Sequence, residues 1–259
     1  MLDYTRFCGE ITAQTELLCS VLPGRDMNTP VPTCPGWKVG QLVRHVGYGH
    51  RWAAEAVRTG ATTPPDDSAM RELSSYVDED PDQLVPWLLA GALDLESSLR
   101  EAGPERAVWT PMPVGPRTPQ FYARRFTQET AVHRADAVLA LGEGFDLSHD
   151  VALDAVDEWL DLAVVTWPRR MSDRRHALHG PDSTLHFHAT DSHAEWVVDL
   201  TGDEFVWRRA HEKSAVAVRG PLVELMLVLY RRRAVADAEV EVFGDAALLD
   251  SWLDVVAFG

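Results

Sequence analysis

Lysine is nearly missing from this chain: Lys38 and Lys213 are the only lysines among 24 basic residues. The rest are arginines, a bias expected of a GC-rich genome. Positive charge as a whole is scarce. Against 40 acidic residues it leaves a formal net charge of −16. That excludes a broad nucleic-acid surface, which needs a basic face, and docking on anionic lipid. A small anionic substrate held by a few local arginines stays allowed.

Cysteine is scarce too. Cys8, Cys19 and Cys34 form no CxxC pair, and an odd count supports neither a disulfide framework nor a zinc knuckle. A reducing, cytoplasmic setting is the expectation. No basic-then-apolar leader opens the sequence, and no apolar run reaches the roughly 18 residues of a membrane span. Internal repeats and low-complexity tracts are missing as well. What remains is a chain of 259 residues, long enough to bury a core without staples and to form one large domain or two smaller ones.

Periodicity divides that length. Apolar residues recur at helical spacing over 2–22, 37–59, 81–102, 121–141 and 149–167. After residue 172 the pattern alternates instead: Leu185 and Phe187, then Trp196, Val198 and Leu200, then Phe205 and Trp207, then Val216 and Val218. Alternation of period two predicts strands with one buried face. Helix is expected again over 221–231, strand over 239–243 and helix over 245–256. The fold class expected is α+β, a helical bundle over residues 1–171 and a small α/β domain over 172–259. The acidic stretch between Gly60 and Asp80 reads as an exposed loop.

The helix over 121–141 organises the rest. Thr118 and Pro119 suit its start and Gly142 its stop. At about 100° per residue, Tyr122, Phe126, Glu129, His133 and Asp136 share one face, with Arg125 at the edge. Glu129 and His133, four residues apart, point the same way. Ionisable groups on a core-facing stripe are costly unless they meet a partner charge or a metal. In helix bundles, metal sites are built from facing helices, and His45 on the second helix is the natural third ligand. Two imidazoles and a carboxylate suit a divalent metal, zinc first, with a position left open. The competing reading makes His45 and His133 hydrogen-bonded core histidines and pairs Glu129 with Arg125.

Two motifs bear on that choice. Cys34-Pro-Gly-Trp37, followed by Leu42 and His45, resembles the second-helix motif of the DinB-like superfamily, and more specifically of the mycothiol-dependent maleylpyruvate isomerase family. Arg124-Arg125, followed by Glu129-Thr-Ala-Val-His133-Arg-Ala-Asp136, is similar to that family's fourth-helix motif. The sterol-carrier-like tail of the family is matched in outline, including Val240-Glu-Val-Phe-Gly-Asp245. The resemblance implies a DinB-like bundle with zinc on His45, Glu129 and His133, and mycothiol as thiol cosubstrate. Lys38 departs from the motif where a small capping hydroxyl is common, and Gln128 where a His often precedes the Glu. The family's catalytic tail arginine falls on Arg208, Arg219 or Arg231.

The function expected is a metal- and mycothiol-dependent isomerase or S-transferase acting on a small electrophile. The alternatives are a hydrolase using metal-bound water and a non-catalytic metal-binding module. Arg125 would bind a substrate carboxylate, or else pair with Glu129 or Asp136. Asp136 would orient a ligand, or else is a solvated helix acid. Cys34 reads as a packed loop thiol, His50 as an outer helix residue, and Trp37 and Trp52 as core anchors. His186 and His188 share a strand face but read as surface histidines, because no carboxylate or cysteine is paired with them in the sequence.

Overall fold

The structure, a computed structural model, describes residues 2–112, 115, 117–170, 178, 180–202 and 204–256. Its chain divides into two compact units, residues 1–145 and 146–259.

The first unit is a four-helix arrangement of α1 (Tyr4–Val21), α2 (Val39–Thr59), α4 (Pro81–Ala102) and α5 (Pro119–Ala140), with a short α3 (Ser68–Arg71) between α2 and α4. α2 packs on α4 and α5, and α1 packs on the same two, so α4 and α5 lie across the bundle from each other. Local chemistry sets the ends. Asp3 accepts from the Arg6 N–H at 2.7 Å to cap α1. Asp80 does the same for α4 through the Asp82 N–H at 3.0 Å, with Pro81 in the first turn. Lys38 gives α2 no side-chain cap, but Gln41 reaches back to its N–H at 3.0 Å. Gly60 ends α2 at φ 60°, a left-handed conformation that glycine adopts without penalty.

α5 is buried nearly all round. Ala123, Thr127, Gln128, Ala131, Ala135 and Ala137 are as inaccessible as Tyr122 on the expected face. This is why its sequence shows no clean apolar stripe: small and polar residues interleave where three neighbours approach. The stretch after Gly60 also departs from the expected loop. It holds α3, whose four residues are too few to show a helical period.

The second unit carries a five-stranded sheet of order β3-β2-β1-β4-β5: β1 (Thr184–Ala189), β2 (Glu195–Asp199), β3 (Val206–Arg208), β4 (Val216–Gly220) and β5 (Glu241–Gly244). β1 and β4 are parallel; the other neighbours are antiparallel. Among the described residues, the unit's α-helices of more than one turn are α6 (His149–Arg170), α7 (Leu222–Leu229) and α8 (Ala246–Val256). Phe187, Trp196, Val198, Trp159 and Trp252 are buried in its core, where the Trp159 and Trp252 ring centroids are 5.3 Å apart.

The α+β class therefore holds, but the expected domain boundary does not coincide with the division between units. The chain divides at Phe145/Asp146, and the expected point at 171/172 lies outside the described residues. The reason is physical. α6 has the helical period of a bundle member, yet it is tied to the sheet unit. Asp157 accepts from Trp196 Nε1 at 2.8 Å and from Arg209 Nη2 at 2.6 Å, and the Ala155 carbonyl accepts from Tyr230 Oη at 3.1 Å.

Candidate metal centre

Three expected ligands meet inside the first unit. α2 supplies His45; α5 supplies Glu129 and His133 one turn apart. Glu129 Oε1 lies 3.1 Å from His133 Nε2 and 3.7 Å from His45 Nε2. One donor atom from each residue lies within 4.8 Å of the other two. The imidazoles meet edge to face, with centroids 5.2 Å apart.

The outer nitrogen of each ring is already used. His45 Nδ1 is 3.1 Å from the Met70 carbonyl, which only accepts, so Nδ1 carries the proton. His133 Nδ1 is 2.8 Å from Asp136 Oδ2. Both contacts leave Nε2 as the inward-facing atom, the orientation that metal-binding histidines take when a carbonyl or carboxylate fixes their tautomer. Asp136 is held in turn by the Thr33 hydroxyl at 2.6 Å and the Cys34 thiol at 3.5 Å. Trp37 stands against the His45 ring, centroids 4.9 Å apart. The Cys-Pro-Gly-Trp stretch thus braces both histidines. Cys34, His133 and Asp136 form a second close set of donor atoms around the far side of the same ring.

The electrostatics of the three are coupled. Burial acts against a charged Glu129, but the His133 imidazole, by charge and by hydrogen bond, with the neighbouring His45 ring and the Arg125 guanidinium, holds its carboxyl well below the ordinary range. Burial likewise opposes a charged His133, yet the Glu129 carboxylate and the Asp136 hydrogen bond carry it well above the usual imidazole value. Arg125 Nη2 donates to Glu129 Oε2 at 2.9 Å. The pairing with Glu129 weighed for Arg125 in the sequence is therefore what the structure shows.

Beside this group opens a cavity of about 290 Å³. His45, Glu129 and Arg125 form its polar end, and Trp52, Phe126 and Trp109 are among its apolar walls. Trp52 is thus a cavity wall as well as a packing residue. His50 differs outright from its expected place on the outer face of α2. It is fully buried and lines the same cavity. The Thr130 hydroxyl donates to the Phe126 carbonyl at 2.6 Å, so it accepts from His50 Nε2 at 2.9 Å. His50 Nδ1 is left as an acceptor with no partner. Burial, then the Arg51 charge, push this imidazole down to about 3, so it stays neutral.

The family model described as the mycothiol maleylpyruvate isomerase N-terminal domain matches residues 8–138, and the MDMPI C-terminal domain model matches residues 150–251. The chain belongs to the mycothiol maleylpyruvate isomerase family. Its two family segments flank the division at Phe145/Asp146. Among solved structures, the crystal structure of the mycothiol-dependent maleylpyruvate isomerase matches with a TM-score of 0.62 at 16% identity, covering 93% of each chain. A histidine-to-alanine mutant of that isomerase matches with the same values. At that identity the likeness establishes the fold. No curated protein matches the sequence.

The second unit holds the remaining candidates. Arg208 pairs with Glu212 and lies 3.6 Å from Asp199, Arg231 pairs with Asp254, and Arg219 is exposed on β4. His186 and His188 do share a strand face, but they are not the partnerless surface pair expected. Glu195 and His211 stand with them. Sequence reasoning missed both because their proximity is made by strand pairing and a returning loop. It missed the Met70 carbonyl for a similar reason, since that contact depends on α3.

Proposed function

We propose that this member of the family is a metal- and mycothiol-dependent isomerase or S-transferase of a small electrophilic carboxylate, working in the cytoplasm. One observation carries the reading. Two imidazole Nε2 atoms converge on one carboxylate oxygen, while both Nδ1 atoms are already fixed from outside. That donor set fits a divalent metal, with zinc the best match: His45, Glu129 and His133 would fill three positions and leave one open. When bound, the metal supplies the charge that keeps a thiol as thiolate near neutral pH, and reversible addition of that sulfur to an electron-poor alkene permits cis–trans isomerisation.

The chain's own residues supply the rest. The Met70 carbonyl and Asp136 hold the imidazoles in one tautomer and orientation. Glu129 brings the negative charge that offsets part of a dication. Arg125, at the cavity wall, presents a planar guanidinium suited to a substrate carboxylate. Trp52, Trp109 and Phe126 exclude water, and the cavity volume suits a small substrate rather than a polymer. Its three cysteines are free thiols, which accords with a reducing compartment.

The test is mass spectrometry of metal-loaded protein with mycothiol and candidate unsaturated carboxylates. Isomerised substrate or an S-adduct, dependent on both metal and thiol, is the expected result. Hydrolysis of esters or amides without any thiol would replace this reading with metal-activated water. His133→Ala separates the site from the chemistry, since loss of metal with retained folding is expected.

A further inference from the structure

Two residues dismissed in the sequence acquire partners in the fold. β1 and β2 run antiparallel with His188 directly opposite Glu195, and His186 lies two residues back on the same face. Leu185, Phe187 and Ala189 take the other face into the core. After β3 the chain returns and brings His211 over this face. Glu195 Oε2 then lies 2.6 Å from His211 Nδ1, 2.7 Å from His186 Nε2 and 3.3 Å from His188 Nδ1. The three rings sit edge to face around it, their centroids 5.5 to 6.2 Å apart.

From this arrangement we infer that His186, His188, Glu195 and His211 form a second metal site, for a zinc-class divalent cation. A carboxylate oxygen offers about two lone-pair directions, so three ring nitrogens cannot all donate to it well. Around a cation each imidazole uses its nitrogen lone pair instead, and the carboxylate becomes a fourth ligand. One donor atom from each residue lies within 4.8 Å of all the others. Tetrahedral zinc with nitrogen and oxygen ligands needs neighbouring donors about 3.3 Å apart. Side-chain rotations of ordinary size close that difference.

The donor set differs in kind from the first. His45, Glu129 and His133 would leave a position for a reacting group. Here four protein ligands complete the shell, which is the pattern of a structural ion. Its place in the fold agrees. β3 is a three-residue strand at the sheet edge, and His211 lies in the segment that follows it. A cation clips that segment to β1 and β2, the most firmly paired strands beside it. His186 is 7% exposed and gives a rigid anchor, whereas the His211 side chain is 78% exposed and arrives from the surface.

The experiment uses the full chain without a histidine tag, stripped by chelator and titrated with Zn²⁺ alone. His186→Gln combined with His211→Gln should bind one equivalent fewer than wild type, whatever the first site does. His211→Gln alone, at an exposed side chain that does not bear on folding, should weaken that equivalent at least about tenfold. Ring-nitrogen NMR signals of His186, His188 and His211 should move together as it fills. Equal equivalents and affinities in wild type and both variants, with those signals unmoved by zinc, would overturn the site and leave a salt-bridged histidine cluster.

Discussion

Asp136 is one hydrogen bond away from His133, a proposed metal ligand, and its effect should be measurable there. It holds His133 Nδ1 at 2.8 Å and is itself held by Thr33 and Cys34. Asp136→Asn should weaken metal binding about 10–100-fold while the protein stays folded. Competition against a chromophoric chelator reads this directly. Cys34→Ala removes a weak thiol donor but leaves the Thr33 hydroxyl on Asp136 at 2.6 Å, and should retain metal at near wild-type affinity. Affinity unaffected by Asp136→Asn would mean His133 is oriented by packing alone. His50 gives a different signature. Its imidazole is pushed down to about 3, whereas an unfolded histidine titrates near 6.5. Between those values the unfolded chain binds more protons, so stability falls as pH falls through that window. In metal-free protein, denaturant titrations of His50→Gln should show a shallower acid-side decline than wild type. Parallel pH profiles would place the acid sensitivity elsewhere.

At the scale of elements, the position of His45 depends on how closely α2 approaches α4. Gly47, two residues along, faces Trp87: a Cβ there would come within 2.3 Å of the Trp87 ring. Gly47→Ala adds roughly 1 kcal/mol of helix propensity, but overpacking in a tight crossing costs about 1–3 kcal/mol. The net expectation is a loss of stability, with weaker metal binding if α2 shifts. Urea denaturation and metal titration of the same variant check both. The helices themselves were largely legible. α4 covers the 81–102 that its period marks, with Pro86, which also offered a later start, inside it, and the strands follow the alternation of Phe187, Trp196, Val198 and Val218. Glu129 and His133 were legible because an i,i+4 pair is local, and their family motif strengthened it. What escaped is non-local. α3 is too short for a period, so the Met70 carbonyl behind His45 had no signal. His211 reaches Glu195 only after β3 returns. His50 was misplaced because one polar residue beside an apolar stripe looks the same whether it faces solvent or a cavity.

Across the whole molecule, the pairing of α6 decides how the chain can be divided. A cut at 171/172 removes α6 from the sheet and takes away Trp159, which packs against Tyr230 and Trp252 with centroids 6.1 and 5.3 Å apart. It also takes away Asp157, leaving the buried Trp196 Nε1 and the Arg209 guanidinium without the acceptor they share. A buried donor stripped of its partner costs about 1–3 kcal/mol, and losing the face of a buried Trp adds about 3–5 kcal/mol. Those losses are comparable with the whole stability of a small domain. A fragment of residues 146–259 should therefore unfold cooperatively, with near-UV dichroism from its packed tryptophans. A fragment of 172–259 should show neither. The same division separates the two clusters, because His45, Glu129 and His133 lie in 1–145 while His186, His188, Glu195 and His211 lie in 146–259. Each of the fragments 1–145 and 146–259 should then bind its own zinc, with His133→Ala abolishing only the first and His211→Gln weakening only the second. A folded 172–259 fragment would show that α6 is dispensable to the sheet and would return the boundary to the place its periodicity marks.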